Sequence, residues 1–242
     1  MLFFIDETWQ TIAGRRVGAL GAVAIPQDQY NGFCLAMYAI KKKELGASEL
    51  MHSEIKGQSC FAKSAFKRQA LHGDSRLLKA ADRLLDILAA HQARVFVIWT
   101  THPDLLTLRH AGSTEVSKPY KELLFDFRAL MENEAPGHLG SLNFDLRGTR
   151  ADEATAGAIQ NYMVRTRGGW ESHFLCVPNF TVSSVSPGLQ AADVVAYLGA
   201  HLVPEQDRPE LQPYVQRMRS LTYQFTRPGR SARRIRTARR VG

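Results

Sequence analysis

Asp193 is the acidic residue that most needs a chemical explanation. In Gly188-Leu189-Gln190-Ala191-Ala192-Asp193-Val194-Val195-Ala196-Tyr197-Leu198-Gly199-Ala200 it stands alone among apolar neighbours on all sides of a predicted helix. An unpaired buried carboxylate is costly and tends to neutralise by raising its pKa. It lies beyond the first helical turn, where the helix dipole would favour it, so a metal or cationic partner accounts for it better than a cap. Asp6 follows the apolar run Leu2-Phe3-Phe4-Ile5. Strand alternation sets Phe3 and Ile5 on one face and Phe4 and Asp6 on the other. That places Asp6 at the carboxyl edge of a strand, where α/β sheets build sites, although an Asp that only initiates a turn reads the same way. In Ser141-Leu142-Asn143-Phe144-Asp145-Leu146-Arg147, alternation puts Asp145 mid-strand with Asn143 and Arg147. Strand interiors disfavour Asp, so a cross-strand partner, an ion pair with Arg147 or a metal is expected there. Met51-His52-Ser53-Glu54-Ile55-Lys56-Gly57 offers a fourth acid, Glu54, with His52 and Lys56 on the same side if the segment is extended. An exposed charged loop explains that segment equally well.

Carboxylates from separate elements, without soft ligands, suit hard oxygen-seeking cations such as Mg²⁺ or Mn²⁺. Two such ions about 4 Å apart can activate a water and stabilise the leaving oxygen of a phosphodiester. Other chemistries lack their signatures. The histidines show neither HxxxH nor HExxH spacing, and there is no GxSxG elbow, no GxxxxGK[ST] loop and no GxGxxG turn between a strand and a helix.

The elements that must hold these residues are legible in outline. Leu2 to Ile5 and Val17 to Ile25 read as strands joined in a hairpin, and Pro26 starts a helix to about Lys43 that Gly46 stops. Ser64 to Leu71 reads as a short helix and Ser75 to His91 as a strongly amphipathic one. Arg94 to Thr100 is nearly all β-branched or aromatic, which predicts a central strand covered on both faces. A helix at Ser117 to Glu134, the strand carrying Asp145 and a helix at Asp152 to Arg165 follow. Short strands are expected at Phe174 to Val177 and Thr181 to Val185. The apolar helix Gly188 to Leu202 comes next, with Ser186 as N-cap and Pro187 at N1, and then a helix at Glu210 to Tyr223. Strands and helices interleave after the hairpin, so the expected class is α/β with a mixed sheet flanked by helices. The division expected is a domain over 1–205 and a C-terminal helix with a basic tail over 206–242.

The net charge of +8 is concentrated in that tail. From Pro213 to Gly242 there are nine arginines and no acidic residue, which leaves −1 for the rest. A basic tail beside a nearly neutral body fits a polyanion, nucleic acid above all, or else a solubilising tail. Cys34, Cys60 and Cys176 are far apart and never in CxxC spacing, so no disulfide framework or thiolate zinc site is indicated. The start, Met1-Leu2-Phe3-Phe4-Ile5-Asp6-Glu7, does not read as a signal peptide, and the longest apolar candidate, Val17 to Ile25, is too short to span a membrane. A cytoplasmic location is expected.

Four motifs occur in order: Phe4-Ile5-Asp6-Glu7-Thr8, Met51-His52-Ser53-Glu54-Ile55-Lys56-Gly57, Asn143-Phe144-Asp145-Leu146-Arg147 and Ser186-Pro187-Gly188-Leu189-Gln190-Ala191-Ala192-Asp193. Together they resemble the DUF3800 family, over residues 2 to about 203. This chain departs from the family pattern in having Thr8-Trp9 where a serine and a glycine are usual, and Ala191 where a leucine is common. The resemblance implies an RNase H-like fold and a metal-dependent nuclease. Asp6, Asp145 and Asp193 would then be metal ligands, and Glu54 a ligand or water-orienting base, with Glu7 as the alternative to it. Lys56, Arg147 and Gln190 would contact substrate, the cofactor would be a pair of Mg²⁺ or Mn²⁺ ions, and the partner DNA or RNA. An inactive RNase H-like module that only binds nucleic acid, and a nucleotide-hydrolysing enzyme on the same fold, are the alternatives.

Overall fold

The computed structural model describes residues 1–49, 51–101, 115–166, 169–204, 207–223 and 236–237. Strands β1 (Leu2–Ile12) and β2 (Arg15–Ile25) form an antiparallel hairpin paired from Leu2↔Ile25 to Ile12↔Arg15. Ala13 and Gly14 make the two-residue turn with φ of 48° and 74°. Positive φ at both positions matches the twist of the flanking strands, and Gly14 adopts it without steric cost. β1 outlasts the apolar run Leu2 to Ile5 because Glu7 to Thr11, though half exposed, complete the ladder against the apolar first half of β2.

β3 (Arg94–Thr100) pairs antiparallel with β2, β4 (Ser141–Asp145) parallel with β1, β5 (Asn179–Thr181) parallel with β4, and the two-residue β6 (Arg236–Thr237) parallel with β3. The sheet order is β5-β4-β1-β2-β3-β6. β3 therefore lies next to the sheet edge, not at its centre, a place taken by β1 and β2. Its apolar run reflects helices on both faces, and burial of that kind does not distinguish a central strand from its neighbours. The segment Phe174 to Val177 is not a strand: Phe174 makes a single bridge to Gly140. In place of a strand over Thr181 to Val185, β5 ends at Thr181 and a 3₁₀ turn covers Ser183–Val185.

Alternation along β1 assigns the two cores. Phe3 and Ile5 join Leu20, Ala22, Phe96 and Ile98 beneath α5 (Lys118–Glu134) and α6 (Thr149–Arg165). Phe4 joins Val23, Ile25, Val95 and Val97 beneath α1 (Gln27–Leu45), α4 (Arg76–Ala90) and α7 (Pro187–Ala200). The mixed sheet with helices on both faces is the α/β class expected from the sequence, and at this level it fits the RNase H-like description. Between β2 and β3 the chain inserts α1, α2 (Gly57–Cys60), α3 (Lys63–His72) and α4.

α7 lies close to the sheet because small residues meet there. A Cβ on Gly21 of β2 would stand 2.4 Å from the Ala196 backbone nitrogen of α7, so no side chain is tolerated at that crossing. α8 (Gln212–Ser220) closes the same core with Val215 and Met218, next to Leu211. The Val95 N–H donates to Leu221 O at 3.1 Å and the Tyr223 N–H to Val95 O at 2.8 Å. The helix assigned by sequence to the basic tail is thus part of the folded domain, and its Arg217 is ion-paired with Asp82 and Asp86. The rest of the tail, apart from β6, lies outside the described residues, as does the expected boundary at 205 and 206. Among the described residues no helix is long and apolar enough to cross a membrane.

Candidate active site

The parallel register Phe4↔Asn143 and Ile5↔Phe144 makes Asp6 and Asp145 the next residues in step. They stand on adjacent strands, which run roughly 4.8 Å apart. They share the face occupied by Phe4, the face that α7 covers with Asp193. Asp6 does not end its strand, because β1 continues to Ile12; it stands where the parallel pairing with β4 stops. Asp145 is the last residue of β4 and not mid-strand. The pair therefore sits at the carboxyl end of β4, with Asp193 above it.

Each of the three carboxylates is oriented by a backbone N–H. Glu7 donates to Asp6 Oδ1 at 2.9 Å, Ser183 to Asp145 Oδ1 at 3.1 Å and Gly57 to Asp193 Oδ2 at 2.6 Å. Asp193 thus has a backbone donor that the sequence did not disclose, with the charge of Lys56 nearby. One turn earlier on α7, Gln190 Oε1 accepts from the Ile55 N–H at 3.1 Å, while Nε2 donates to Ser183 O at 2.8 Å and Ser184 O at 3.1 Å. Gln190 is 1% exposed, and its amide joins the 55–57 loop to the 183–184 turn; this makes it a positioning residue rather than a substrate contact in this structure. Gly57 is required at its place, since a Cβ there would lie 2.4 Å from Tyr197 Cβ.

Burial first, then the charges of Asp193, Glu7 and Asp145, push the Asp6 carboxyl from 3.8 up to about 8. Burial also raises Asp193, with Glu54 and Asp145 adding to the rise and the Gly57 N–H and Lys56 opposing it. Glu54 forms an ion pair with Lys56 at 3.2 Å. Its charge also reaches Lys41, which is 1% exposed and whose pKa burial lowers against the pull of Glu54. Lys41 escaped notice in the sequence although its position was readable. It falls four residues after Met37 and eight after Phe33 on the buried face of α1.

Arg147 does not pair with Asp145. Its guanidinium donates to Glu7, which also accepts from the Tyr120 hydroxyl at 3.1 Å. Glu7 points to the opposite face of β1 from Asp6, so it belongs to this Arg147–Tyr120 cluster beneath the sheet and does not take the place of Glu54. The Arg147 and Gly148 N–H groups donate to Asp152 at 3.1 and 3.2 Å, fixing the chain as it leaves β4.

The structure thus brings Asp6, Asp145 and Asp193 within reach of one another's charge, with Glu54 and Lys56 beside Asp193. Burial, reinforced by the neighbouring carboxylates, raises Asp6 to about 8, and a cation close by would oppose that rise. Among the described residues no three His, Cys, Asp or Glu side chains are gathered at ligand spacing. No family model matches the chain, nor does any curated protein or solved structure.

Proposed function

We propose that this protein is a metal-dependent nuclease of the DUF3800 kind that its motifs resemble. The observation that carries this reading is the placement of Asp6 and Asp145 side by side on one face of the sheet, with Asp193 on the helix that covers that face, where burial and then acidic neighbours push Asp6 up to about 8. Mg²⁺ or Mn²⁺ bound there would supply an activated water and charge stabilisation at the leaving oxygen. The protein's own contribution is orientation. The Glu7, Ser183 and Gly57 N–H groups fix one oxygen of each carboxylate, and Gln190 holds the two loops that carry Ser183 and Gly57. Lys56, 54% exposed, offers an ammonium to a phosphate. The arginine-rich tail adds sequence-independent affinity for the nucleic-acid backbone.

That no three His, Cys, Asp or Glu side chains among the described residues form a ready metal site favours a second reading, an RNase H-like module that binds nucleic acid without cutting it. Labelled DNA and RNA incubated with the protein in Mn²⁺, Mg²⁺ or EDTA separate the two. Shortened products that vanish in EDTA support the nuclease. Full-length strands that still shift on a native gel, more weakly as salt rises, support the binding module.

A further inference from the structure

Beyond Asp6 the first hairpin runs past the strand beside it. β4 pairs with β1 only from Leu2 to Ile5, while β1 and β2 stay paired as far as Ile12↔Arg15. Among the described strands, none pairs with residues 7–12 of β1 on the side that β4 has left. This open edge starts next to Asp6 and ends at the Ala13-Gly14 turn. From Thr8 to Gln27 the chain has no acidic residue, and Arg15 and Arg16 are both exposed. The Asp207 carboxylate touches the turn, where it accepts from the Ala13 N–H at 3.3 Å.

Trp9 stands on the same stretch. Trp99 and Trp170 are buried, whereas Trp9 is only partly covered. It packs against the core that holds Ile5 and Leu20, and the Arg16 guanidinium lies over its ring, 5.0 Å from the centroid. A contact that merely closes the hairpin would look the same, and an exposed cation–π pair is worth roughly two- to fivefold in an equilibrium constant. Stacking of an unpaired base on an aromatic ring is worth roughly 5- to 150-fold. A base can therefore displace the guanidinium from the ring, and the freed Arg16 can meet the adjoining phosphate. Bases inside a duplex are already stacked on one another, so a platform of this kind selects single strands. Three residues at roughly 3.3 Å each set Trp9 about 10 Å along β1 from Asp6. Trp9 shares the face of Glu7, opposite that of Asp6, so a strand that reaches both crosses the open edge between them.

We propose that the hairpin beyond Asp6 is a binding surface for single-stranded nucleic acid, with one base stacked on Trp9 and its phosphate held by Arg16. The inference rests on the nucleic-acid reading above and narrows it to unpaired strands.

Tryptophan fluorescence of the full chain, titrated in EDTA with a 12-nucleotide oligothymidine or oligouridine, tests this. With the other two tryptophans buried, stacking on Trp9 is read as quenching of the wild type. Trp9→Phe loses the quenching and keeps most of the binding, followed by anisotropy of a labelled oligonucleotide. Trp9→Leu, shown to be folded by circular dichroism, binds roughly 5- to 50-fold more weakly with an unchanged salt slope. Arg16→Met flattens that slope by about 0.7, the loss of one phosphate contact on a single strand. Binding without quenching in the wild type, wild-type affinity in Trp9→Leu, or binding confined to duplexes overturns the inference and leaves the nucleic-acid reading in place. No binding to single strands or duplexes of either polymer overturns that reading, and this inference with it.

Discussion

Asp6→Asn should stabilise the protein at alkaline pH, although it removes a candidate catalytic group. In the folded protein the Asp6 carboxyl is pushed from 3.8 up to about 8, so the fold binds its proton more tightly than the unfolded chain does. The sign follows from linkage. The stability tied to this proton is complete below about pH 4, declines as pH rises between the two values, and is gone above about pH 8. The interval at about 1.4 kcal/mol per pH unit corresponds to roughly 6 kcal/mol. Asp6 is partly exposed, and solvent screening of such a group leaves about 2–3 kcal/mol to be measured. Asn keeps the acceptor for the Glu7 N–H and carries no charge. Urea denaturation of wild type and Asp6→Asn in EDTA from pH 4 to pH 9 provides the assay. The curves should coincide near pH 4 and separate by about 2–3 kcal/mol by pH 9, with the variant more stable, a gap of about 5–10 °C in Tm for a chain of this size. A hundredfold excess of Mn²⁺ over its Kd should restore about 2.7 kcal/mol to the wild type and much less to the variant. Parallel curves from pH 4 to pH 9 would show that Asp6 ionises in the fold without cost, and would refute the idea that burial, with the neighbouring carboxylates, keeps it protonated.

Two further perturbations probe the loop beside the site and the basic tail. Gly57→Ala forces a Cβ against Tyr197 and moves the N–H that orients Asp193. Cleavage should fall more than tenfold while stability drops by about 1–3 kcal/mol, measured by gel assay and denaturation side by side; full activity would show that the 55–57 loop is irrelevant. Truncation after Tyr223 removes Arg227, Arg230, Arg233, Arg234, Arg236, Arg239 and Arg240. Fluorescence anisotropy with a labelled oligonucleotide at several salt concentrations should show weaker binding and a flatter salt dependence, by about 0.9 in log–log slope for each phosphate that the tail no longer neutralises. An unchanged slope would mean that the tail does not touch phosphate.

Much of the arrangement was open to reading because periodic patterns carry it. Alternation along β1 separated Phe3 and Ile5 from Phe4 and Asp6, and both faces found the helices that such a pattern demands. Asp193 stood out because apolar neighbours surround it on a helix with no reason of its own to bear a charge. What sequence could not supply was register and loop closure. Asp6 and Asp145 become neighbours only through the parallel pairing of strands more than 130 residues apart, and no local pattern encodes which strands pair. The partner of Asp193 is a backbone N–H of Gly57, a donor every residue but proline carries, so residue type gave no hint of it. Arg147 looked like a partner for Asp145 by proximity in sequence, yet β4 and its alternation end at Asp145, and Arg147 meets Glu7 on the other face. The helix at Gln212–Ser220 was set with the basic tail in one segment beyond residue 205, and in the structure Leu211, Val215 and Met218 pack into the core.

Whether Asp6, Asp145 and Asp193 form one metal-dependent phosphodiesterase site is decided by comparing wild type with Asp193→Asn, each shown to be folded by circular dichroism, on labelled DNA and RNA in Mn²⁺. A single site of that kind requires cleavage of at least one polymer by the wild type, abolished by EDTA and absent in the variant. Cleavage that persists in folded Asp193→Asn would contradict it.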